Sequence, residues 1–182
     1  MMKRSVQLIS AMLLLLTAAG CVLTPRSSRQ TAYYDLAIPQ ADTSVDFLKI
    51  AAVNNDTPAQ GRMIFRTRNN RIEQDGLNCW IQPPERILQR YLTQRFQTAK
   101  SAPGKSLTVR CTINAFEFDM VRNEAVLSVK CLFSKNNQSQ TAVLTAREKI
   151  TGKTPPELAA AMNKAVESIA EKLTAAAREI NR

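Results

Sequence analysis

The chain has 182 residues, 45% of them hydrophobic, with 25 Lys and Arg against 15 Asp and Glu for a formal net charge of +10, and it contains no histidine. That length suits one compact domain and is short for two, and the hydrophobic content is not that of a disordered chain. The missing histidine removes Ser/His, Cys/His and His-ligated metal chemistry together, while the positive balance points to an anionic partner or surface.

Lys3 and Arg4 precede a mostly apolar stretch over residues 6–19 with four leucines at its centre, followed by Ala18, Ala19, Gly20 and Cys21. This is the three-part layout of a secretory signal, and the apolar stretch is short of the roughly 20 residues a membrane-spanning helix needs. The small residues before Cys21 resemble the lipobox of bacterial lipoproteins, in which the cysteine is lipidated and becomes the first residue of the mature chain. One departure is Ala18, where a Leu is usual, although Leu16 lies close by. We expect residues 1–20 to be a signal peptide and Cys21 to carry the lipid; a simple cleaved signal or N-terminal anchor with an incidental Cys21 is the alternative. Residue 22 is Val rather than Asp, which by the enterobacterial sorting rule resembles delivery to the outer membrane. Residues 22–31 (VLTPRSSRQT) are polar and aperiodic and read as a tether from the lipidated Cys21. Ten such residues span at most about 34 Å, so the folded part stays near the membrane surface.

Residues 32–182 read as a single α+β domain. Tyr33, Tyr34, Asp35 and Leu36 could form an edge strand. Residues 47–53 (FLKIAAV) are nearly continuously apolar, as in a strand covered on both faces. A polar break follows, and then two short strands flank Asn69-Asn70, a pair that tolerates positive φ and predicts a tight hairpin. Trp80, Pro83 and Pro84 lead into a helix over residues 85–97, with Leu88, Leu92 and Phe96 in one stripe and Glu85 at its N-terminal dipole. Ala102, Pro103 and Gly104 end that segment. Residues 107–115, 125–133 and 142–150 alternate apolar with polar and predict an antiparallel meander with one buried face; Phe116 and Phe118 break the alternation, through a bulge or a covered edge. Thr154, Pro155, Pro156 and Glu157 form a capping-box pattern, and Leu158, Met162, Ala165, Ile169, Leu173, Ala176 and Ile180 recur at helical spacing after it. The expected order is β-β-β-β-α-β-β-β-α, a mostly antiparallel sheet packed against two helices.

Little chemistry is on offer. The five glycines are too scattered for a phosphate loop. Glu117 and Asp119 share a strand face but are a weak signal for acid–base work. No nucleophile has an activating partner, so the chain reads as a non-enzyme without cofactor or metal. Cys79, Cys111 and Cys131 include no CxxC pair, which leaves a zinc or thioredoxin-like site unsupported. Cys111 and Cys131 share strand parity and could lie opposite each other, either bridged or, the favoured reading, as two small buried hydrophobes. Arg62, Arg66, Arg68 and Arg71 would form a positive ridge on the hairpin, facing anionic headgroups or an acidic protein rather than nucleic acid, which an exported chain does not meet; a merely solvated surface is the plain alternative. Trp80 is read as a core plug under the first helix or an exposed contact.

The lipobox, Tyr33-Tyr34 with Leu36, Ile64 and Arg66 in the hairpin, Trp80 before the Pro84-led helix with Leu92, and the closing helix, in that order, resemble the ABC-type transport auxiliary lipoproteins, the group that includes the PqiC-like proteins. The family often has Arg before the Trp and Ala-Glu-Pro after it; Cys79 and Ile81-Gln82-Pro83 stand here instead. The resemblance implies an outer-membrane lipoprotein facing the periplasm. Its partners would be an MCE-domain protein and the ABC permease and ATPase of the same system, with ATP spent on those subunits and a lipid-like cargo. Homo-oligomerisation is left open. The alternatives are a module that holds lipid in a pocket between sheet and helix, and a purely structural envelope lipoprotein.

Overall fold

The computed structural model describes residues 30–96 and 106–182. The predicted signal, Cys21, all but the end of the tether, Gln97 and the Ala102-Pro103-Gly104 break lie outside the described residues. Residues 31–182 form one compact unit.

Seven strands make one sheet: β1 (Ala32–Tyr34), β2 (Leu48–Asn55), β3 (Arg62–Arg66), β4 (Ile72–Trp80), β5 (Leu107–Asp119), β6 (Glu124–Lys135) and β7 (Gln138–Lys149). Helix α1 (Pro84–Arg95) sits between β4 and β5, and α2 (Pro155–Ile180) closes the chain. The strands run in the order β1-β4-β3-β5-β6-β7, with β2 also against β5. The expected α+β class and element order hold, but the sheet is mixed rather than mostly antiparallel. Pairs β1/β4, β2/β5 and β3/β5 are parallel, whereas β3/β4, β5/β6 and β6/β7 are antiparallel. The reason is connectivity. The chain leaves β2, makes the β3–β4 hairpin and α1, and only then returns beside β2 as β5, a crossover long enough to bring strands together in parallel. Alternation within a strand carries no record of its neighbour's direction.

Two bulges account for the irregular apolar patterns. In β2 the register slips between Ile50 and Ala52, so Leu48 and Ile50 face inward before it and Val53 after it. The apolar run therefore marks a parity change, not burial on both faces; Lys49, Ala51 and Asn54 are exposed. In β5 the slip falls between Ile113 and Ala115, which returns Phe116 and Phe118 to the same buried face as Leu107, Val109, Cys111 and Ile113.

The hairpin at Asn69-Asn70 forms as predicted, with both residues at positive φ (61° and 58°). Asn123, Asn136 and Asn137 take the same left-handed conformation in the β5–β6 and β6–β7 turns, where a short polar side chain lowers its cost. Helix α2 opens with the capping box: the Glu157 carboxylate accepts from the Thr154 amide (3.0 Å) and hydroxyl (2.5 Å). Gly152 makes room for it, since a Cβ there would lie 2.1 Å from that carboxylate.

Both helices bury their apolar stripes in one core. Leu88 and Leu92 from α1 and Met162, Ala165, Val166, Ile169 and Leu173 from α2 join Leu107, Val109, Ile113, Leu127, Val129 and Phe133 from the sheet. Ala176 and Ile180, the end of the predicted stripe, are only partly buried against this cluster. Trp80 is 2% exposed, edge-on to Phe116 at 5.3 Å between ring centres, and so is a core plug. Asp42 ties the helices' far ends together: its amide donates to the Arg95 carbonyl (2.7 Å) and its carboxylate accepts from Thr174 (3.3 Å). Strand β7 ends the sheet, and Lys172 of α2 reaches over to donate to the Thr145 carbonyl there.

Candidate functional site

The sequence singled out four arginines as one ridge, and the fold separates them. Arg62 lies at the start of β3, where its guanidinium donates to the carbonyls of Asp75 (2.8 Å) and Gly76 (3.0 Å). It stabilises an irregular stretch of β4 in which the Asp75 carboxylate also accepts from the amides of Leu77 and Asn78. Burial pushes the Asp75 carboxyl up, and these bonds with nearby Arg62 reverse the shift and hold it below the usual carboxylate range. Arg66 grips Glu117 of β5 with two hydrogen bonds, Nε to Oε1 at 2.5 Å and Nη2 to Oε2 at 2.9 Å. The bond to Glu117 raises the Arg66 pKa despite partial burial. Both arginines are engaged within the fold.

Arg68 and Arg71 remain, at the tip of the hairpin. Arg68 has no acidic partner among the described residues, and the exposed Arg71 sits 3.3 Å from Glu73. Because β3 runs parallel to the end of β5, this tip lies beside the turn that follows β5: the Met120 amide donates to the Arg66 carbonyl (2.9 Å). Asp119 organises that turn. Its carboxylate accepts from the amides of Val121 and Arg122 (3.0 Å each) and from the Arg122 guanidinium (3.0 Å). Burial pushes the Asp119 carboxyl up, and those three donors together lower it below its ordinary value. Asp119 thus holds the turn, and Glu117 holds Arg66.

The result is a sheet end built from two turns. Arg68, Arg122 and Val121, the last 62% exposed, line a shallow depression of about 400 Å³, and the exposed Arg71 follows at the hairpin tip outside that lining. Val121 and Arg122 lie in the short link between two of the predicted strands. No local signal could have joined them to Arg68, because the junction is a long-range parallel pairing.

Elsewhere, a depression of about 730 Å³ lies between β2 and the start of α1, lined by groups such as Asn54, Asn55, Gln60, Glu85 and Gln89. Its size would suit a small ligand but its polar lining does not suit an acyl chain. Both helices' apolar stripes pack directly on the sheet, and a second depression of about 550 Å³ opens between Leu107 and Phe133 of the sheet and Ile180 at the end of α2. Among the described residues no cluster of acids and cysteines could hold a metal, and no helix is long and apolar enough to cross a membrane. Cys111 and Cys131 are direct cross-strand partners with their Sγ atoms 2.9 Å apart, and both are buried thiols. Cys79 is a half-buried free thiol on β4.

These features define a two-layer α+β body with a mixed sheet, a hydrophobic core shared by sheet and helices, and a basic end. Two solved structures share that fold. An uncharacterised protein aligns over 83% of this chain and 99% of its own with TM-score 0.65 at 15% identity. A Xanthomonas campestris protein of the DUF330 family aligns over 79% and 92% with TM-score 0.64 at 13% identity. At such identities the likeness speaks for the fold alone. No curated protein matches the chain. The profile of one family, described as ABC-type transport auxiliary lipoprotein component, matches residues 55–174. The chain belongs to that family, an auxiliary component of ABC-type transport.

Proposed function

We propose that this chain is a lipid-anchored, non-catalytic auxiliary subunit of an ABC-type system that moves lipid across the cell envelope. The family match over residues 55–174 carries the reading. Residues 1–20 serve as the export signal, Cys21 carries the acyl chains, residues 21–31 form the tether, and residues 32–182 are the working domain. Two or more acyl chains make such anchoring stable. Val22 directs the protein to the outer membrane, facing the periplasm. Its partners there are an MCE-domain protein and the permease and ATPase of the same system, and those subunits do the work on nucleotide and cargo.

Two features of the domain support this role. The packing of both helices' apolar stripes on the sheet, with polar groups lining the larger depression, favours a docking body over one that stores lipid between sheet and helices. The basic sheet end also lies within tether reach of the point where the described chain enters the sheet. Strand β1 runs parallel to β4 with Ala32 opposite Asn78, six residues along β4 from the hairpin end at Ile72, or about 20 Å. A ten-residue tether of up to about 34 Å lets Arg68, Arg71 and Arg122 reach the anionic headgroups around the anchor.

Detergent extraction of an affinity-tagged chain tests the reading. The permease, ATPase and MCE-domain subunits should co-purify with the wild-type protein, and Cys21→Ser should leave the membrane fraction. A chain that remains soluble without acyl label and captures none of those subunits would refute it.

A further inference from the structure

We infer that Cys111 and Cys131 are joined as a disulfide in the exported protein, a covalent lock across the two longest paired strands. The geometry carries this. The two residues are direct partners in the antiparallel β5/β6 ladder, on the same buried face, with Sγ atoms 2.9 Å apart. Directly opposed residues of such a ladder have Cα atoms about 4.5–5.5 Å apart, inside the 4.4–6.8 Å range disulfides use. A small rotation of either side chain brings the sulfurs to the bond length of about 2.05 Å. The bulge at Ile113/Ala115 falls beyond the pair and leaves their register intact. Cys79 has Tyr33 and Arg62 as register neighbours, so no second cysteine faces it there. Cys21 has its sulfur committed to the lipid.

The inference rests on the export proposed above, because thiols persist in the cytosol and oxidise outside it. The oxidant is a protein disulfide of the thiol-oxidoreductase class. The thiolate of one cysteine attacks a sulfur of that disulfide, giving a mixed disulfide and releasing one oxidant thiolate. The thiolate of the other then attacks the mixed disulfide, forms the Cys111–Cys131 bond and expels the second oxidant sulfur. Two electrons pass to the oxidant, and the two protons end on its sulfurs. The timing follows from burial. In the folded domain the hydrogen bond with Cys111, together with burial, pushes the Cys131 thiol far up, and both sulfurs are shielded from a large partner. The bond must therefore close while β5 and β6 are still assembling, and once closed it is equally shielded from reductants.

The test uses the full chain, isolated from membranes, acid-quenched, alkylated without reductant and digested with trypsin. Cleavage after Arg110 and Lys130 gives the peptides CTINAFEFDMVR and CLFSK. The expected result is these two recovered as one crosslinked species, lighter than their sum by two hydrogens, with Cys79 alkylated. Recovery of both as alkylated thiols from an acylated, membrane-bound chain overturns the inference while leaving the functional reading intact. Should the protein instead be soluble and unacylated, the export reading fails separately. Refolding the reduced chain in a glutathione redox buffer then decides the matter: the crosslinked peptide supports the inference and alkylatable thiols overturn it.

Discussion

Arg66 and Glu117 meet through a two-pronged hydrogen bond that fastens β3 to β5 across the open face of the sheet. The two strands share only Phe65 with Phe118 and Arg66 with Asp119 as register partners, so the side-chain clasp does work that a longer ladder would otherwise do. A paired, partly buried guanidinium and carboxylate are worth more than a surface ion pair. A double-mutant cycle with Arg66→Met and Glu117→Gln, read by urea denaturation, should give a coupling of about 1–2 kcal/mol. Coupling near zero would mean that the backbone alone holds the strands together.

Asp119 holds the neighbouring turn. Asp119→Ala strips the Val121 and Arg122 amides of their acceptor and should cost about 2–3 kcal/mol, whereas Asp119→Asn keeps an oxygen in place and should cost about 1 kcal/mol. The carboxyl is lowered in the folded state, so its contribution is complete above the unfolded value near about 3.9 and is lost as pH falls through the lower folded value. Denaturation midpoints at pH 7, 5 and 3 should show the wild type losing more stability between pH 5 and 3 than Asp119→Asn does. Equal losses would show that this carboxylate does not govern the acid sensitivity of the turn.

Trp80 is the single tryptophan in the chain and packs at the end of β4 against Phe116 and Phe118 of β5. Trp80→Ala should cost about 3–5 kcal/mol through the cavity it leaves, and Trp80→Phe considerably less. Wild-type emission should be that of a buried indole and shift to the red in one step with the loss of far-ultraviolet circular dichroism. A separate, earlier fluorescence change would place the ring outside the cooperative core.

Charge reversal at the basic sheet end separates contact from stability. Arg68→Glu with Arg71→Glu should leave the stability within about 0.5 kcal/mol, since both side chains are exposed at a turn. The same pair should weaken binding to phosphatidylglycerol-containing vesicles by about tenfold or more, an effect that fades in high salt. Unchanged vesicle binding would send the search for the contact surface elsewhere.

Sequence patterning foretold both α-helices and the seven strands of the described residues in order, but not the 3-10 turn at Thr43–Val45. Leu88, Leu92 and Phe96 announced α1; Thr154 and Glu157 marked the start of α2 within a residue or two; Asn69-Asn70 marked a turn. What could not be read was who lies beside whom. The parallel pairing of β2 with β5 depends on a crossover spanning more than fifty residues, and the clustering of Arg68 with Arg122 depends on the same connection. The bulge in β2 also disguised a one-sided strand as a two-sided one, since inserting one residue turns strict alternation into a continuous apolar run. The four arginines were judged by their sequence proximity, and only the strand register revealed that two of them were already spoken for.

The reach of Lys172 to the Thr145 carbonyl places a positive charge against the last strand's bare rim. A strand with unoccupied amides and carbonyls invites a neighbour to add itself, and chains fixed to a surface meet one another far more often than chains dispersed in bulk solvent. An ammonium group at that rim makes such zippering costly, so copies of this chain held side by side by the proposed anchor would meet a charge at the edge where a further strand would join.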